Sequence, residues 1–264
     1  MTSTEDEMPR FHLEHDGRRS GTLPTFADDT NLRALLARAD TGRIRTGPTS
    51  DNPYALQPDT LNFLTAILNV VCPRLIVEFG SGQSTKLFAS WACAHDALVV
   101  SVEHDRQWVD EVSRSLDSAG RKALKIVHAP LRPKRFGLRQ FLTYRSLSKL
   151  TEDVERADFL LLDGPHISGR EVVLYFALGH CRPGAVVVVD DFRHYAVYEM
   201  ICGLVPSLAA CFSAVAIDDN SHGLFVLKCI KRPNEVRVPG AGVRSILQSY
   251  WRCLRDFRQY GTGD

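Results

Sequence analysis

The sequence predicts an α/β protein with a three-layer, doubly wound fold, in which a mostly parallel sheet of about seven strands ends in an antiparallel hairpin. From Arg74 onward, short apolar segments rich in β-branched residues alternate with helical segments, as in a parallel sheet with right-handed crossovers. The last two apolar segments, 212–217 and 224–229, are joined by a polar stretch, which is typical of a hairpin.

The parallel strands are predicted from five apolar segments, and the fifth is apolar throughout, so we expect it near the centre of the sheet. These segments are 75–79, 97–103, 123–128, 158–163 and 185–190. Helices are predicted over 31–38 and 58–71, because apolar residues recur there at helical spacing and a proline opens the second. Another helix is predicted over 168–178, since Ser168 and Glu171 have capping-box spacing.

Composition divides the chain into four predicted parts. Residues 1–29 are polar and lack periodicity, which predicts a disordered tail. Residues 30–72 form a helical leader, 73–230 the main α/β domain, and 231–264 an amphipathic C-terminal helix with a short tail.

The charge and cysteine content indicate a soluble cytoplasmic protein. The formal net charge of +1 gives no overall attraction to nucleic acid or membrane. The seven cysteines form no C-x-x-C pair, and we expect buried reduced thiols. The acidic N-terminus does not resemble a signal peptide, and no apolar run approaches the ~20 residues of a membrane span.

The first predicted strand leads into a glycine turn and then a helix. Glycines allow a tight turn and the close approach of a ligand. Hydroxyls at the helix start can accept from its unpaired N–H groups, and the exposed amides favour an anionic group such as a carboxylate. The residues concerned are Glu78, Gly80, Ser81, Gly82, Ser84 and Thr85.

Two cofactor classes use such a turn. A dinucleotide site requires G-x-G-x-x-G, but Thr85 stands where the third glycine would be. The acidic residue two places before Gly80 instead resembles the E/D-x-G-x-G signature of the class I, Rossmann-like S-adenosylmethionine-dependent methyltransferases. The resemblance covers residues 54–230 and includes the terminal hairpin, whereas a dehydrogenase continues with a second βαβαβ half. An NAD-dependent oxidoreductase and an ordinary strand-turn-helix corner stay open as alternatives.

Acidic residues end four of the five predicted parallel strands, at the edge where such sheets bind ligands. Glu103 follows Gly80 by about 20 residues and suits the ribose hydroxyls of adenosine, with His104 beside the adenine. The resemblance implies S-adenosylmethionine as cofactor, with Glu78 near its methionine end. The predicted cofactor-binding residues are Glu78, Gly80, Ser81, Gly82, Ser84, Thr85, Glu103, His104 and Asp163.

Three further carboxylates, Asp163, Asp190 and Asp191, end the fourth and fifth predicted strands. If these strands are neighbours, the carboxylates lie close together and repel unless a cation or protons compensate. Oxygen ligands suit Mg²⁺ or Ca²⁺. The set resembles the metal-dependent O-methyltransferases of catechol and macrolide-sugar type, which implies that these three residues hold one divalent ion. Asp190 and Asp191 can share an ion only if the strand has ended, because successive strand residues point to opposite faces; Asp191 as a helix cap is the alternative.

His166 is the predicted catalytic residue. It lies three residues after Asp163, and in the metal-dependent family a Lys or His at that spacing acts as general base. An imidazole titrating near neutrality can take the proton of a hydroxyl acceptor. A histidine that caps the following helix is the alternative, and His194 is a second candidate for the base.

The segment 121–149 carries nine Lys and Arg residues and no Asp or Glu, with Phe136, Phe141 and Tyr144 between them. Because it follows the third strand, it can overhang the acceptor side of the site and favours a small anionic acceptor. No nucleic-acid module is recognisable, so we expect no nucleic-acid partner. Its commonest structural meaning is a solvated, partly helical cover.

Apolar residues recur at helical spacing after Pro239, with arginines on the other side of the predicted helix. We expect its apolar side to dock on the same domain, and a homodimer contact is the alternative. The apolar residues are Val243, Ile246, Leu247, Tyr250, Trp251, Leu254 and Phe257.

The sequence thus predicts transfer of a methyl group from S-adenosylmethionine to a hydroxyl of a small, anionic molecule, with help from a divalent metal. Two alternatives stay open. One is a metal-independent methyltransferase, or another enzyme that uses S-adenosylmethionine on a different acceptor atom. The other is a non-catalytic cofactor-binding protein.

Overall fold

A computed structural model describes residues 30–39, 56–165, 167–217, 222–234, 236 and 242–260. The strands are β1 (Leu75–Phe79), β2 (Leu98–Glu103), β3 (Leu124–His128), β4 (Leu131–Phe136), β5 (Arg139–Tyr144), β6 (Phe159–Leu162), β7 (Val186–Val189), β8 (Phe212–Ile217) and β9 (Leu224–Cys229). The helices are α1 (Thr30–Arg38), α2 (Pro58–Val71), α3 (Gln83–Ala94), α4 (Arg106–Ser115), α5 (Ser118–Ala123), α6 (Thr151–Arg156), α7 (Ile167–His180), α8 (Tyr195–Leu208) and α9 (Val243–Tyr260), with a 3₁₀ helix at Leu147–Leu150 before α6. The predicted tail over 1–29 and the predicted base His166 lie outside the described residues.

The main sheet has seven strands in the order β3-β2-β1-β6-β7-β9-β8. The first five are parallel, β9 pairs antiparallel with β7, and β8 pairs antiparallel with β9. This is the predicted doubly wound, mostly parallel sheet with its terminal hairpin. The strand order reverses between β1 and β6, so the crevice at their carboxyl ends is where such a fold binds ligands.

Helices cover both faces of this sheet. Successive residues of each strand point to opposite faces and so belong to two different hydrophobic cores. On one face, α1, α2 and α3 pack with Ile76 and Phe159; on the other, α6 and α7 pack with Val77 and Leu160. The predicted helical leader therefore packs directly on the sheet, with Phe63 of α2 fully buried.

The basic segment forms an antiparallel hairpin of β4 and β5, which corrects the predicted partly helical, solvated cover. The chain reverses through Gly137, whose φ of +60° suits a tight hairpin turn. Tyr144 is fully buried, and Arg139 makes a bidentate ion pair with Glu171 of α7. The hairpin is thus part of the folded domain.

The C-terminal helix α9 packs on β5, but the side that it turns toward the domain differs from the predicted side. Its buried residues are Ser249, Cys253 and Asp256. Of the apolar residues expected to dock, Ile246 and Tyr250 are half-buried, whereas the other five are exposed: Val243, Leu247, Trp251, Leu254 and Phe257. Within the described residues, no helix has the length and apolarity that a membrane crossing requires.

Candidate active site

The loops that follow β1 and β6 lock together at the switch point of the sheet. The carbonyl of Phe79 accepts from the amides of Asp163 and Gly164, at 3.0 and 2.5 Å. Gly80 has a φ of +99°, and a Cβ on it would lie 2.8 Å from the Gly164 nitrogen. A side chain at Gly80 is therefore excluded by both conformation and space.

Glu78 lies behind this turn with no exposed surface. Its carboxylate accepts from the hydroxyls of Ser84, Thr85 and Ser101, the last two at 2.6 and 2.7 Å. Burial raises the pKa of Glu78 to about 7, although the three hydroxyl bonds oppose the shift. Glu78 thus joins the end of β1 to the first turn of α3, and in this arrangement it shapes the turn.

Of the two hydroxyls expected to accept from amides at the helix start, Thr85 does so, from the N-cap Gly82, whereas Ser84 donates to Glu78. Thr85 Oγ1 accepts from the amide of Gly82 at 2.8 Å, and the hydroxyls of Ser81 and Ser101 lie 2.7 Å apart. Gly82 itself faces open space, because no heavy atom lies within 4 Å of where its Cβ would be. A ligand can approach the backbone of the turn from this side.

Glu103, at the end of β2, binds the same turn from its other side. Its Oε2 accepts from the amide of Ser81 at 2.9 Å, and its Oε1 accepts from the amides of His104 and Asp105 at 2.7 and 2.9 Å. Burial alone would raise the pKa of Glu103, but these bonds and the adjacent His104 ring outweigh it and lower the pKa. One lone pair of Oε2 stays available for a further donor such as a ribose hydroxyl.

Aromatic side chains border this carboxylate. Trp108 Nε1 donates to the carbonyl of Ser81 at 2.6 Å, and His128 Nε2 lies 3.0 Å from the carbonyl of His104. Tyr144, from the end of β5, donates to the carbonyl of Val102 at 3.3 Å. Together with Glu103 and the open side of Gly82, these groups fit adenosine, since a carboxylate suits its hydroxyls and an aromatic ring its base.

The three predicted metal-binding carboxylates meet a buried guanidinium. Arg170 of α7 is 4% exposed; its Nη1 lies 2.9 Å from Asp191 Oδ2, and its Nη2 lies 3.4 Å from Asp163 Oδ1. It also donates to the backbone carbonyls of Asp163 and Asp190. The sequence predicts that a cation or protons offset the repulsion among these carboxylates. The Arg170 guanidinium is such a cation.

Asp190 and Asp191 lie just beyond β7, which ends at Val189, so the condition for them to face one centre is met. Asp191 has a φ of +59°, and its carboxylate bonds Arg170 instead of capping a helix. Ligand atoms of Asp190, Asp191 and His222 lie within 4.8 Å of one another, whereas Asp163 is not part of that group. His222 joins them because the antiparallel β9 brings its preceding turn to the end of β7.

Burial dominates the protonation of this cluster. It raises the pKa of Asp190 well above its usual value and that of Asp163 to about 6, and in both cases Arg170 opposes the shift. Asp190 is 2% exposed and its Oδ1 has no hydrogen-bond partner among the described residues. Burial also lowers the pKa of His194, the second candidate base.

These residues do not fit the predicted divalent site. A guanidinium already contacts one oxygen of Asp163 and one of Asp191, two of the three expected ligands, and supplies one of the two positive charges that a divalent ion would bring. The remaining trio, Asp190, Asp191 and His222, contains one carboxylate already engaged by Arg170. We therefore derive no chemical step through a metal.

Sequence reasoning missed the roles of Arg170, Trp108, Tyr144 and His222. Arg170 gives a signal, since it is a basic residue just before the apolar run 172–178 of a helix that follows a strand-end aspartate. Trp108 also gives one, as an aromatic residue five positions after Glu103. Tyr144 and His222 reach the site only through the hairpin and the insertion of β9 beside β7, which local patterns do not reveal.

No protein-family model and no curated protein sequence matches the chain. A Staphylococcus aureus protein described as a caffeoyl-CoA O-methyltransferase is 13% identical, with 76% of this chain and 92% of that chain covered and a TM-score of 0.49. An RNA methyltransferase from Salinibacter ruber, in complex with S-adenosyl-L-homocysteine, is 15% identical, with coverages of 73% and 100% and a TM-score of 0.42. An rRNA methylase from Streptococcus thermophilus is 15% identical, with coverages of 60% and 88% and a TM-score of 0.41.

At such identities, the substrates of these proteins say nothing about this chain. The fold is defined by its own strand order, by its five parallel strands and by the antiparallel strand β9 inserted between β7 and β8. The chain has the Rossmann-like fold of the class I methyltransferases, as its sequence predicts.

Proposed function

We propose that the protein is an S-adenosylmethionine-dependent methyltransferase. The observation that carries the proposal is the bond from the Ser81 amide to Glu103 Oε2, 2.9 Å long, which joins the glycine turn to the acidic end of β2. A Rossmann-like sheet that binds adenosine needs both groups on one edge. The acidic residue before the turn and the terminal hairpin favour this cofactor over NAD.

S-adenosylmethionine, when bound, supplies the electrophilic methyl group. The open side of Gly82 would receive the chain of the cofactor, and Glu103 Oε2 would accept from a ribose hydroxyl. Glu78 would keep the turn in shape through its three hydroxyl partners.

The proposed acceptor is a hydroxyl of a small, anionic molecule. An anionic acceptor is proposed because residues 121–149 carry nine Lys and Arg and no Asp or Glu, and their segment includes Tyr144, whose hydroxyl lies against the loop after β6. His166 is the proposed general base, from its place three residues after Asp163. Asp163 and Asp190, at the ends of β6 and β7, are acidic groups whose raised pKa values also suit proton exchange.

A metal-independent reaction is the version that the geometry favours. Arg170 provides a fixed positive charge among Asp163, Asp190 and Asp191, and so offsets part of the carboxylate charge that a divalent ion would otherwise offset. In this version the cluster positions the loops after β6 and β7 around the acceptor. A metal-assisted reaction would use Asp190, Asp191 and His222 instead.

Thermal denaturation of the purified protein with S-adenosylhomocysteine, S-adenosylmethionine or NAD tests the cofactor class. We expect both sulfur cofactors to raise the melting temperature and NAD to have no effect, because ligands stabilise the state they bind. Stabilisation by NAD alone would establish the oxidoreductase. If the cofactors bind but extracts containing candidate acceptors never yield S-adenosylhomocysteine, the protein is a cofactor-binding module.

A further inference from the structure

The fully buried side chains of the C-terminal helix α9 are small or polar, with Ile246 and Tyr250 half-buried beside them. Ser249, Cys253 and Asp256 are 8%, 1% and 1% exposed and face the β4–β5 hairpin. Ser249 Oγ accepts from the backbone amide of Gln140 at 3.1 Å. Most surface helices turn their apolar residues toward the core, whereas α9 leaves most of its large apolar residues exposed.

Its opposite side is apolar and exposed. Val243, Leu247, Trp251 and Leu254 are 74%, 57%, 74% and 53% exposed. At ~100° per residue, these four side chains fall within about 80° of the helix circumference. A continuous exposed apolar stripe on a folded domain indicates an interaction site.

Only positive charge accompanies the stripe on the outside of α9. Arg244, Arg252, Arg255 and Arg258 are exposed, and Arg258 lies in line with the apolar residues. The single acidic residue of the helix, Asp256, is buried and accepts from Arg255 at 2.9 Å. No exposed carboxylate on α9 is available to a positively charged partner.

The hairpin that carries α9 presents the same chemistry. Leu138, at the hairpin turn, is 59% exposed, and Lys134 and Arg135 are exposed on the adjoining strand. Residues 121–149 contain no Asp or Glu. We define the basic apolar face as the apolar stripe with its arginines together with this hairpin turn.

We propose that the basic apolar face binds an anionic lipid surface. A helix with Trp and Leu on one side, flanked by arginines, is the form that lies in a membrane interface, with its apolar side among the acyl chains and its cations at anionic headgroups. The net charge of +1 conceals this local surface. The proposal is independent of the enzymatic one.

The composition of the face disfavours two other occupants. A second copy of the helix would bring arginines against arginines, with Asp256 buried and no other carboxylate on α9 to pair with them. A nucleic acid would leave Val243, Leu247 and Leu254 without apolar contacts, since interfaces with nucleic acid are polar. A lipid surface offers acyl chains to the apolar stripe and anionic headgroups to the arginines.

Co-sedimentation of the full chain with vesicles tests the proposal. Vesicles of equimolar phosphatidylcholine and phosphatidylglycerol are compared with vesicles of phosphatidylcholine alone. We expect strong binding to the anionic vesicles only, weakened by salt. The double variant Leu247→Glu, Trp251→Glu should lose more than about tenfold in affinity, and Arg244→Gln, Arg258→Gln about fivefold for each arginine removed.

A matched control is Leu98→Glu, since Leu98 is 57% exposed at the start of β2 and outside the basic apolar face. It should bind like the wild type, and all variants should keep the wild-type circular dichroism because the changed side chains are exposed. Equal binding to both kinds of vesicle, or unchanged binding by the Leu247→Glu, Trp251→Glu variant, would overturn the proposal. If the protein does not bind vesicles, two further results would overturn the proposal. One is a dimer in light scattering that the Leu247→Glu, Trp251→Glu variant dissociates, and the other is binding to duplex DNA.

Discussion

Gly80 and Gly164 lie in such close contact that a Cβ on Gly80 would stand 2.8 Å from the Gly164 nitrogen. The two residues follow neighbouring strands, β1 and β6, at the point where the strand order reverses. Their contact fixes the backbone that the proposed cofactor would lie against. Gly82, two residues on, has a φ of 179° and open space in place of a side chain.

This difference predicts opposite phenotypes for the two glycines. Gly80→Ala should lower the free energy of unfolding by roughly 2 kcal/mol or more, since alanine is strained at a φ of +99° and its methyl group meets backbone. Gly82→Ala should lower the free energy of unfolding by less than about 1 kcal/mol, because Gly82 is the N-cap of α3. It should nevertheless weaken cofactor binding. Urea denaturation and calorimetry measure both. Equal destabilisation by the two variants would contradict the described turn.

The Arg170 guanidinium predicts a pH-dependent stability defect. Arg170→Met should lower the free energy of unfolding by about 3 kcal/mol at pH 8, because it leaves two partly buried carboxylates, Asp163 and Asp191, without their buried cation. Burial raises the pKa of Asp163 to about 6 even with Arg170 present, so at pH 5 this carboxyl is mostly protonated and the defect should shrink. Denaturation at the two pH values measures this.

The control for that variant is Arg182→Met, which removes an exposed ion pair with Asp158. Arg182 is 49% exposed, so we expect a loss of less than about 1 kcal/mol at either pH. If Arg170→Met is as mild as this control, the guanidinium does not balance the cluster.

Glu78 predicts a further pH effect of defined sign. Burial raises the pKa of Glu78 from an ordinary 4.5 to about 7 in the folded protein, so the folded state binds the proton more tightly. The resulting stabilisation is complete below pH 4.5 and is lost as the pH rises to about 7. Relative to Glu78→Gln, the wild type should lose roughly 3 kcal/mol between pH 5 and 8. The exposed control Glu152→Gln should run parallel to the wild type, and a parallel curve for Glu78→Gln would refute the assignment.

Metal dependence separates the two versions of the proposed reaction. With Arg170 bonded to Asp163 and Asp191, we expect Mg²⁺ titrated into the protein to release no heat of specific binding. We also expect methyl transfer to be insensitive to a chelator once an acceptor is known. Stoichiometric Mg²⁺ binding that disappears in Asp190→Ala would favour the metal-assisted version through Asp190, Asp191 and His222.

Local pattern was sufficient for most of the sheet. The β8–β9 hairpin has the predicted bounds, and strand ends differ from prediction by a residue or two, as at β7, where Asp190 lies beyond the last pair. The hairpin β4–β5 was missed because β4 is mostly charged, with Arg132 and Lys134 among its residues. It therefore lacks the regular alternation of apolar and polar residues that indicates a strand.

The site was predictable where it depends on strand ends and not where it depends on tertiary neighbours. Glu103 could be placed beside the glycine turn because consecutive parallel strands adjoin. The position of Arg170 among the aspartates depends on how α7 crosses the sheet, which its spacing alone does not determine. Periodicity likewise showed that α9 has an apolar side with Trp251, but not that this side faces away from the domain.

The central claim is that the glycine turn and Glu103 together bind S-adenosylmethionine. Calorimetric titration with S-adenosylhomocysteine tests it most directly, on the wild type, on Glu103→Gln and on the exposed control Glu152→Gln, whose side chain is 83% exposed. We expect saturable binding of one equivalent to the wild type and the control, weakened about tenfold or more in Glu103→Gln through loss of a charged hydrogen bond. Absence of binding by the wild type, or equal affinity for Glu103→Gln, would contradict the claim.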